Sequence, residues 1–348
     1  MTMKIAGRPI SPDHPPYVIA EMSGNHNGDI NRARELIKAA KEAGADAVKL
    51  QTYTADTITI PSERPEFQIT SGLWEGRSLH ELYHEAHTPW EWHAPLFAYA
   101  KEIGITVFSS PFDPSAVDYL ENLGAPAYKV ASPEVIDWGL LKKIATTGKP
   151  VIISSGMATD QEMIEAIDVL RKAGCEQIVA LHCISAYPTP LEQANLRRIE
   201  KLREILNVNT GLSDHSMGLT AASTAVALGA CIVEKHFTLA RADGGVDSAF
   251  SLEKEELANM CQNLKDVHNT LGNKNTELAP AEESTRQFRR SLYFVKDMKS
   301  GDVVTQENVR SIRPGMGLLP RYLDEILGKT INQDIGFGTP TDWKYFTG

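Results

Sequence analysis

Residues 208–237 read VNTGLSDHSMGLTAASTAVALGACIVEKHF, and this stretch contains one complete repeat of the unit that decides the fold. The apolar runs that precede His215 and His236 predict two strands, and residues 219–228 between them predict a helix. A strand, a helix and a second strand in this order give neighbouring parallel strands. Both histidines would therefore lie at the same edge of a sheet, each just past the end of its strand.

The same unit recurs along the chain. Eight short apolar strands, each followed by a helix within the first 272 residues, predict an α/β fold of the (β/α)8 TIM barrel type. A doubly wound open sheet is the alternative, but its glycine-rich fingerprint is missing after the first strand, where the sequence is GNHNG (24–28). The predicted strands are residues 17–20, 47–51, 106–110, 127–130, 151–155, 178–183, 208–212 and 231–235.

The chain is predicted to contain two domains. The barrel domain is assigned to residues 1–272, and a polar stretch begins a linker over 273–290. Residues 291–348 have short strand-like runs with frequent Gly and Pro, which predict a small, mostly β domain.

Two connections within the barrel domain stand out. A hairpin around Gly7 is expected to close the bottom of the barrel. The connection over residues 52–88 is unusually long, which favours a lid or a substrate loop.

Composition excludes several classes of protein. The net charge of −10 argues against a nucleic-acid partner. The first residues lack an apolar segment, so no signal peptide is expected, and no apolar run approaches the length of a membrane span. The cysteines lack metal-binding spacing and are expected to be buried, reduced thiols of a cytoplasmic protein. They are Cys175, Cys183, Cys231 and Cys261.

Polar or charged side chains lie at the C-terminal end of every predicted strand, where the barrel would direct them into one cavity. Lysines and serines there could bind a phosphate and a carboxylate, and the local field of the lysines would offset the acidic surface. Glu21, Glu134 and Glu234 are candidate groups for proton transfer or for water-mediated contacts to a metal. The strand-end residues are Glu21, Lys49, Gln51, Ser109, Ser110, Lys129, Ser154, Ser155, His182, Ser213, Asp214, His215, Glu234, Lys235 and His236.

The two histidines support two interpretations. They could hold one divalent metal that polarises an aldehyde oxygen and leaves coordination sites open for substrate. Alternatively, both histidines are structural.

These residues lie in motifs that resemble the sialic acid synthase family, and the resemblance covers essentially the whole chain. The motifs are IAE (19–21), GNHNG (24–28), VKLQ (48–51), SPFD (110–113), YKVAS (128–132) with Glu134, SSGM (154–157), YPTP (187–190), GLSDH (211–215) and EKHFT (234–238).

Within that family, five stretches are most similar to the branch that makes pseudaminic acid. Neuraminic acid synthases more often have a Gly-Val or Gly-Ile pair where this chain has Met22-Ser23, and Pro133 departs from the bulkier apolar residue expected there. The five stretches are AEMSGNHNG (20–28), QTYTADT (51–57), GLWEG (72–76), TPWEWH (88–93) and SIRPGMG (311–317).

The resemblance implies a reaction. Phosphoenolpyruvate condenses with an open-chain amino-sugar aldehyde to give a nine-carbon 2-keto acid and phosphate. C3 of the enolpyruvate attacks the aldehyde, water adds at C2, and phosphate leaves by C–O cleavage. The acceptor implied is 2,4-diacetamido-2,4,6-trideoxy-L-altropyranose, and the alternative is N-acetylneuraminate or legionaminate synthesis from an N-acetylmannosamine-type sugar.

The resemblance also implies roles for single residues. His215 and His236 would bind Mn²⁺, with Mg²⁺ or Co²⁺ as alternatives. The residues implied for phosphoenolpyruvate are Lys49, Ser110, Lys129, Ser132, Ser154 and Ser213. Those implied for the sugar or the reacting centre are Glu21, Gln51, Tyr187 and Asp247.

The C-terminal domain resembles the antifreeze-like (SAF) domain of these synthases. In the family it covers the barrel mouth of a partner subunit, and the matching residue that reaches the sugar's acyl-amino group is Arg313. The resemblance therefore implies a domain-swapped homodimer.

Two functions from other classes remain as alternatives. A class I aldolase or lyase would form a Schiff base on Lys129 or Lys235. A carbohydrate-binding protein without catalysis would use its small domain and would not need either histidine.

Overall fold

The computed structural model describes residues 3–272 and 277–347. The chain divides into two compact units, Met1–Gly272 and Asn273–Gly348. Each unit has its own apolar core. Within the linker predicted from the sequence, residues 273–276 lie outside the described residues, and Pro280–Phe288 form an exposed 3₁₀ helix.

The first unit is a closed barrel of eight parallel strands preceded by a small hairpin. The last strand, Ile232–His236, pairs with Asn209–Asp214 on one side and with the first barrel strand, Tyr17–Glu21, on the other. This pairing closes the barrel and excludes the open sheet. The predicted (β/α)8 barrel is therefore confirmed. The hairpin strands are β1 (Met3–Ile5) and β2 (Arg8–Ile10), and the barrel strands are β3 (Tyr17–Glu21), β4 (Ala47–Thr52), β5 (Thr106–Pro111), β6 (Tyr128–Val130), β7 (Val151–Ser154), β8 (Ile178–Cys183), β9 (Asn209–Asp214) and β10 (Ile232–His236).

The bottom of the barrel is apolar. Met3, Ile5 and Ile10 of the hairpin are buried in one cluster with side chains from the first residues of the barrel strands, among them Ile19 and Ile152. The hairpin therefore closes the N-terminal end of the barrel, as predicted. Because this end is packed with hydrocarbon, the buried polar groups of the strands collect at the opposite end.

Ten helices lie between or after the barrel strands in the described part of the first unit, and most of them present an apolar face to the barrel. In α1, for example, Leu36 and Ile37 are buried, and the Asp29 side chain accepts the Asn31 N–H at the N-cap. No helix among residues 3–272 and 277–347 is both long and apolar enough to cross a membrane. The helices are α1 (Ile30–Glu42), α2 (Ala55–Ile58), α3 (Leu79–Ala86), α4 (Trp90–Ile103), α5 (Pro114–Asn122), α6 (Trp138–Ala145), α7 (Asp160–Lys172), α8 (Arg198–Leu206), α9 (Thr220–Ala227) and α10 (Lys254–Leu271).

The second unit is small and consists mainly of turns. Strands β11 (Ser291–Phe294) and β12 (Val309–Ile312) pair antiparallel, and one short helix, α11 (Leu323–Ile326), follows. Isolated bridges such as Met298 to Ile335 connect further extended segments. The core of the unit is a single apolar cluster that includes Leu292 and Phe294.

Candidate active site

A cluster of four buried charges lies at the C-terminal end of the barrel. Strand register places Glu21 of β3 beside Lys49 of β4, and their carboxylate and ammonium groups are 2.8 Å apart. Glu234 of β10 lies between two lysines, with Oε1 at 3.7 Å from Lys49 Nζ and 3.5 Å from Lys129 Nζ. All four side chains are almost completely buried. The structure thus brings together lysines and glutamates from four different strands.

The electrostatics of this cluster depend on the glutamates as well as on the lysines. Glu21 and Glu234 lie against the two lysines, and their charges oppose the local positive field of Lys49 and Lys129. Burial, together with the charge of Glu234, raises the pKa of Glu21 despite the opposing charge of Lys49. Burial opposes ionisation of Glu234 too, but Lys129 and Lys49 lower its pKa overall. Protonation of Glu21 would leave the cluster with a net positive charge for an anion.

Hydroxyl and amide groups surround the charges. Lys49 Nζ donates to Ser110 Oγ at 3.2 Å, and Ser213 Oγ donates to Glu234 at 3.1 Å. Gln51 Nε2 donates to Glu21 at 2.8 Å and to Ser23 at 3.2 Å. These contacts connect the predicted residues of β3, β4, β5, β9 and β10 in one network.

A second set of polar groups follows β6, β7 and β8. The Gly156 N–H donates to Ser132 Oγ at 3.0 Å. A methyl group at position 156 would overlap the hydroxyls of Ser132 and Ser185, so a larger residue here would have to displace both side chains. The hydroxyl of Ser154 is buried and has no hydrogen-bond partner among the described residues. Such an unpaired buried donor is suited to an anion such as phosphate.

Glu134 lies in the short 3₁₀ helix Ser132–Ile136. Pro133 occupies one of the first two positions of this helix, where its fixed backbone angle is well tolerated. Burial raises the pKa of Glu134 to about 7, although the charge of Lys129 opposes the shift. Its Oε2 atom has no hydrogen-bond partner in the described part of the chain. A carboxyl group that titrates near neutrality is suited to proton transfer.

His215 and His236 lie side by side at the ends of β9 and β10. Their ring centroids are 5.4 Å apart. Nδ1 of His215 is 3.0 Å from the carbonyl oxygen of Ile184, and donation to this oxygen leaves Nε2 with a lone pair. Nδ1 of His236 is buried without a hydrogen-bond partner in the described structure, 3.7 Å from a carboxylate oxygen of Asp247. Ser23 donates a hydrogen bond to that oxygen.

The residues present fit an open metal centre better than a closed one. Among the described residues, no group of three or more His, Cys, Asp or Glu side chains is arranged to hold a metal by itself. Two imidazoles can do so when substrate and water complete the coordination. Burial lowers the pKa of His236 well below its usual value, which keeps the ring neutral, as a metal ligand must be.

An aromatic wall encloses the histidine pair. The Tyr187 ring lies 4.4 Å from the His215 ring, and the Phe250 ring lies 4.9 Å from the His236 ring. Trp74, in the long connection between β4 and α4, lies 5.6 Å from Tyr187. Its indole N–H donates to the carbonyl oxygen of Val246 at 2.8 Å. This part of the connection therefore packs against the barrel mouth.

Three further predicted positions have surroundings of their own. Arg313 is exposed in the second unit, directly after β12. His182 binds the carbonyl of Ala194 at 2.7 Å and belongs to the packing around β8. Lys235 is buried in an ion pair with Asp214, which leaves its amine unsuited to a Schiff base.

Sequence reasoning missed several neighbours of the site. Ser23, Ser185 and Phe250 come from irregular segments that no periodic pattern marks. Cys183 is buried and free, like the other three cysteines, as predicted. Its sulfur nevertheless lies 3.9 Å from Nδ1 of His215. The position of Cys183 as the last residue of β8 was the available signal.

Taken together, the closed barrel and the polar mouth define a (β/α)8 enzyme that acts on small molecules. The profile of the NeuB family matches residues 36–276, and that of the SAF domain matches residues 289–345. The chain belongs to the NeuB family.

Three similar proteins are informative. Pseudaminic acid synthase from Campylobacter jejuni is 44% identical over 92% of this chain and 94% of its own length. Pseudaminic acid synthase from Helicobacter pylori is 43% identical over 94% of this chain and 96% of its own length. The crystal structure of N-acetylneuraminic acid synthetase from Leptospira borgpetersenii with citrate has a TM-score of 0.74 and 30% identity, over 82% of this chain and 95% of that chain.

Proposed function

We propose that this enzyme condenses phosphoenolpyruvate with 2,4-diacetamido-2,4,6-trideoxy-L-altropyranose to form pseudaminic acid and phosphate. The observation that carries the proposal is one barrel mouth that combines buried lysines and serines with two adjacent imidazoles. Identity of 43–44% to two pseudaminic acid synthases supports this acceptor, against 30% to the neuraminic acid enzyme.

Phosphoenolpyruvate would bind between the charge cluster and the loop after β7. Lys49 and Lys129 would bind its negative charges, assisted by Ser110, Ser132 and the unpaired hydroxyl of Ser154. Ser213 reaches the same region through its contact with Glu234. In this arrangement Glu21 would take up a proton when the anion binds, because its pKa is already raised.

The sugar would occupy the side of the mouth that holds the histidines. Tyr187 and Asp247 border this side, and Gln51 lies between it and the lysines. His215 and His236 would hold a divalent metal, with Mn²⁺ proposed first and Mg²⁺ or Co²⁺ as alternatives. When bound, the metal supplies Lewis-acid polarisation of the aldehyde oxygen.

Glu134 is proposed as the base that accepts a proton from the water that adds at C2. Because only the ionised carboxylate accepts a proton, we expect kcat/KM to rise with pH up to about 7 in the wild type. In Glu134→Gln this dependence should disappear and the rate should be low. The measurement is phosphate release across a pH series. A Glu134→Gln profile that keeps the wild-type rise would contradict the assignment.

The stability of the wild type and of Glu134→Gln provides a second test of the raised pKa of Glu134. Burial favours the neutral acid in the folded state, so its stabilising proton is present below pH 4.5 and is lost as pH rises through about 7. The wild type should therefore lose stability relative to Glu134→Gln over this interval. Thermal denaturation at matched pH values checks the sign.

The acceptor can be tested directly. We expect rapid phosphate release from phosphoenolpyruvate with the diacetamido-trideoxy sugar and little release with N-acetylmannosamine. The apolar wall of Trp74 and Tyr187 is suited to a sugar that has a methyl group in place of a hydroxymethyl group. The reverse preference would favour neuraminate synthesis. Covalent trapping by borohydride, with activity indifferent to EDTA, would instead favour the Schiff-base aldolase.

We also propose that the enzyme acts as a domain-swapped homodimer, in which Arg313 of one SAF domain reaches the partner's sugar site. Large exposed apolar side chains support an interface at the loops that follow the barrel strands, because six of them lie there. They are Ile60, Leu73, Ile136, Met157, Leu191 and Met217. Phosphoenolpyruvate as substrate agrees with the cytoplasmic location expected from the cysteines.

A further inference from the structure

A buried ion pair joins the two strands that carry the histidines. Asp214 of β9 and Lys235 of β10 are register partners, with Nζ and Oδ2 2.6 Å apart. Their side chains are 3% and 1% exposed, respectively. Successive side chains on a strand point to opposite faces. Because Glu234 and His236 face the site, Lys235 points away from it.

The ion pair also holds the turn around His215. Lys235 Nζ donates to the carbonyl of Ser216 at 2.5 Å. The other carboxylate oxygen of Asp214 accepts from the Ser216 N–H at 2.8 Å and from its hydroxyl at 2.7 Å. Asp214 and Ser216, which flank His215, are therefore both bound to the side chain of Lys235, which directly precedes His236.

Stability alone gives a weak reason for this arrangement. Moving two charges out of water costs free energy, and a well-packed apolar pair is often as stable as a buried ion pair. An apolar pair, however, makes no directional contacts that could fix the position of the neighbouring backbone. The contacts of Asp214 and Lys235 fix the peptide of His215 relative to β10, and hence fix one imidazole relative to the other.

We propose that Asp214 and Lys235 are positioning residues that set the separation of His215 and His236 for a divalent metal. The inference rests on the proposed metal role of the two histidines. It assigns to the ion pair the function of outer residues that orient metal ligands without touching the metal.

The test is titration of the purified protein with Mn²⁺, followed by the EPR signal of the free ion. We expect Lys235→Met to bind Mn²⁺ roughly 10- to 100-fold more weakly than the wild type. Phosphoenolpyruvate binding, measured by calorimetry, should be nearly unchanged, since Lys49 and Lys129 lie on β4 and β6. Lys149→Met is the matched control. It removes a lysine 2.6 Å from Glu121 at the opposite end of the barrel and should keep wild-type Mn²⁺ affinity.

A double variant separates positioning from stability. Asp214→Leu/Lys235→Met removes both buried charges and should recover much of the stability that Lys235→Met loses. It should nevertheless bind Mn²⁺ as weakly as the single variant, because the hydrogen bonds to Ser216 are absent. If Lys235→Met does not fold, the Mn²⁺ affinity of the double variant tests the proposal in its place.

Three results would overturn the inference. One is wild-type Mn²⁺ affinity in the folded double variant, and another is an equal loss of Mn²⁺ and phosphoenolpyruvate binding, which indicates general damage. Wild-type protein that fails to bind Mn²⁺ would overturn the proposed metal role, and the inference with it. Either of the first two results, observed beside a wild type that binds Mn²⁺, would overturn the inference alone.

Discussion

His236→Ala is expected to lower the rate of a single turnover by about a thousandfold, the effect of losing several kcal/mol of Lewis-acid stabilisation. Phosphoenolpyruvate affinity should be nearly unchanged. The reason is spatial: the imidazole lies beside His215 and Phe250, whereas the lysines proposed to bind phosphoenolpyruvate come from β4 and β6. Rapid-quench measurement of phosphate release, together with a phosphoenolpyruvate titration, checks both parts.

His182→Ala is the matched control for that variant. His182 is also a buried histidine of a barrel strand, but its ring nitrogen binds the carbonyl of Ala194. Its loss should reduce stability and leave the turnover of the folded protein largely intact. Lost phosphoenolpyruvate binding with intact chemistry in His236→Ala would contradict the assignment of the histidines to the aldehyde.

Glu234→Gln is expected to produce the largest loss of stability among the site variants. Its carboxylate lies between Lys49 and Lys129, so the amide leaves the buried Lys129 ammonium without its carboxylate partner and Lys49 with Glu21 alone. Breaking a buried pair in this way costs roughly 3–5 kcal/mol. For a unit of this size the melting temperature should fall by about 6–12 °C for the first 3 kcal/mol. Thermal denaturation without substrate measures the effect.

Phosphoenolpyruvate should restore part of the stability of Glu234→Gln, because its negative charges would replace the missing carboxylate. Glu121→Gln is the control, since it breaks a partly exposed pair with Lys149 and should cost at most about 1 kcal/mol. Equal stability of the two variants would show that Glu234 does not neutralise the lysines in the free protein.

Much of this architecture could be predicted from the sequence because the barrel repeats one short pattern. Apolar runs separated by helices determine the strands, and parallel strands bring their ends together. Alternate polar residues at those ends, such as Lys49 and His236, therefore had to face one cavity. The prediction needed no knowledge of any side-chain conformation.

Pairings within the cavity could not be predicted in the same way. Whether Glu234 contacts Lys49, Lys129 or both depends on barrel radius and side-chain reach, which periodicity does not contain. The sequence suggested a local positive field from the lysines, and the structure shows that Glu21 and Glu234 lie against those lysines. Contacts from irregular segments were also beyond prediction. Trp74 reaches Val246 across 172 positions of the chain, through a connection with no repeating pattern.

The pairing of β10 with β3 has a consequence for how the protein is made. Tyr17 and Ile232 are register partners, so the last strand of the barrel must meet the first across nearly the whole first unit. Contacts of such long sequence separation slow folding, because a large loop must close before they form. A nascent chain that lacks β10 cannot close the barrel, so any sheet that it forms has two unpaired edges. Nascent chains that end before Ile232 should be sensitive to proteases and prone to aggregation.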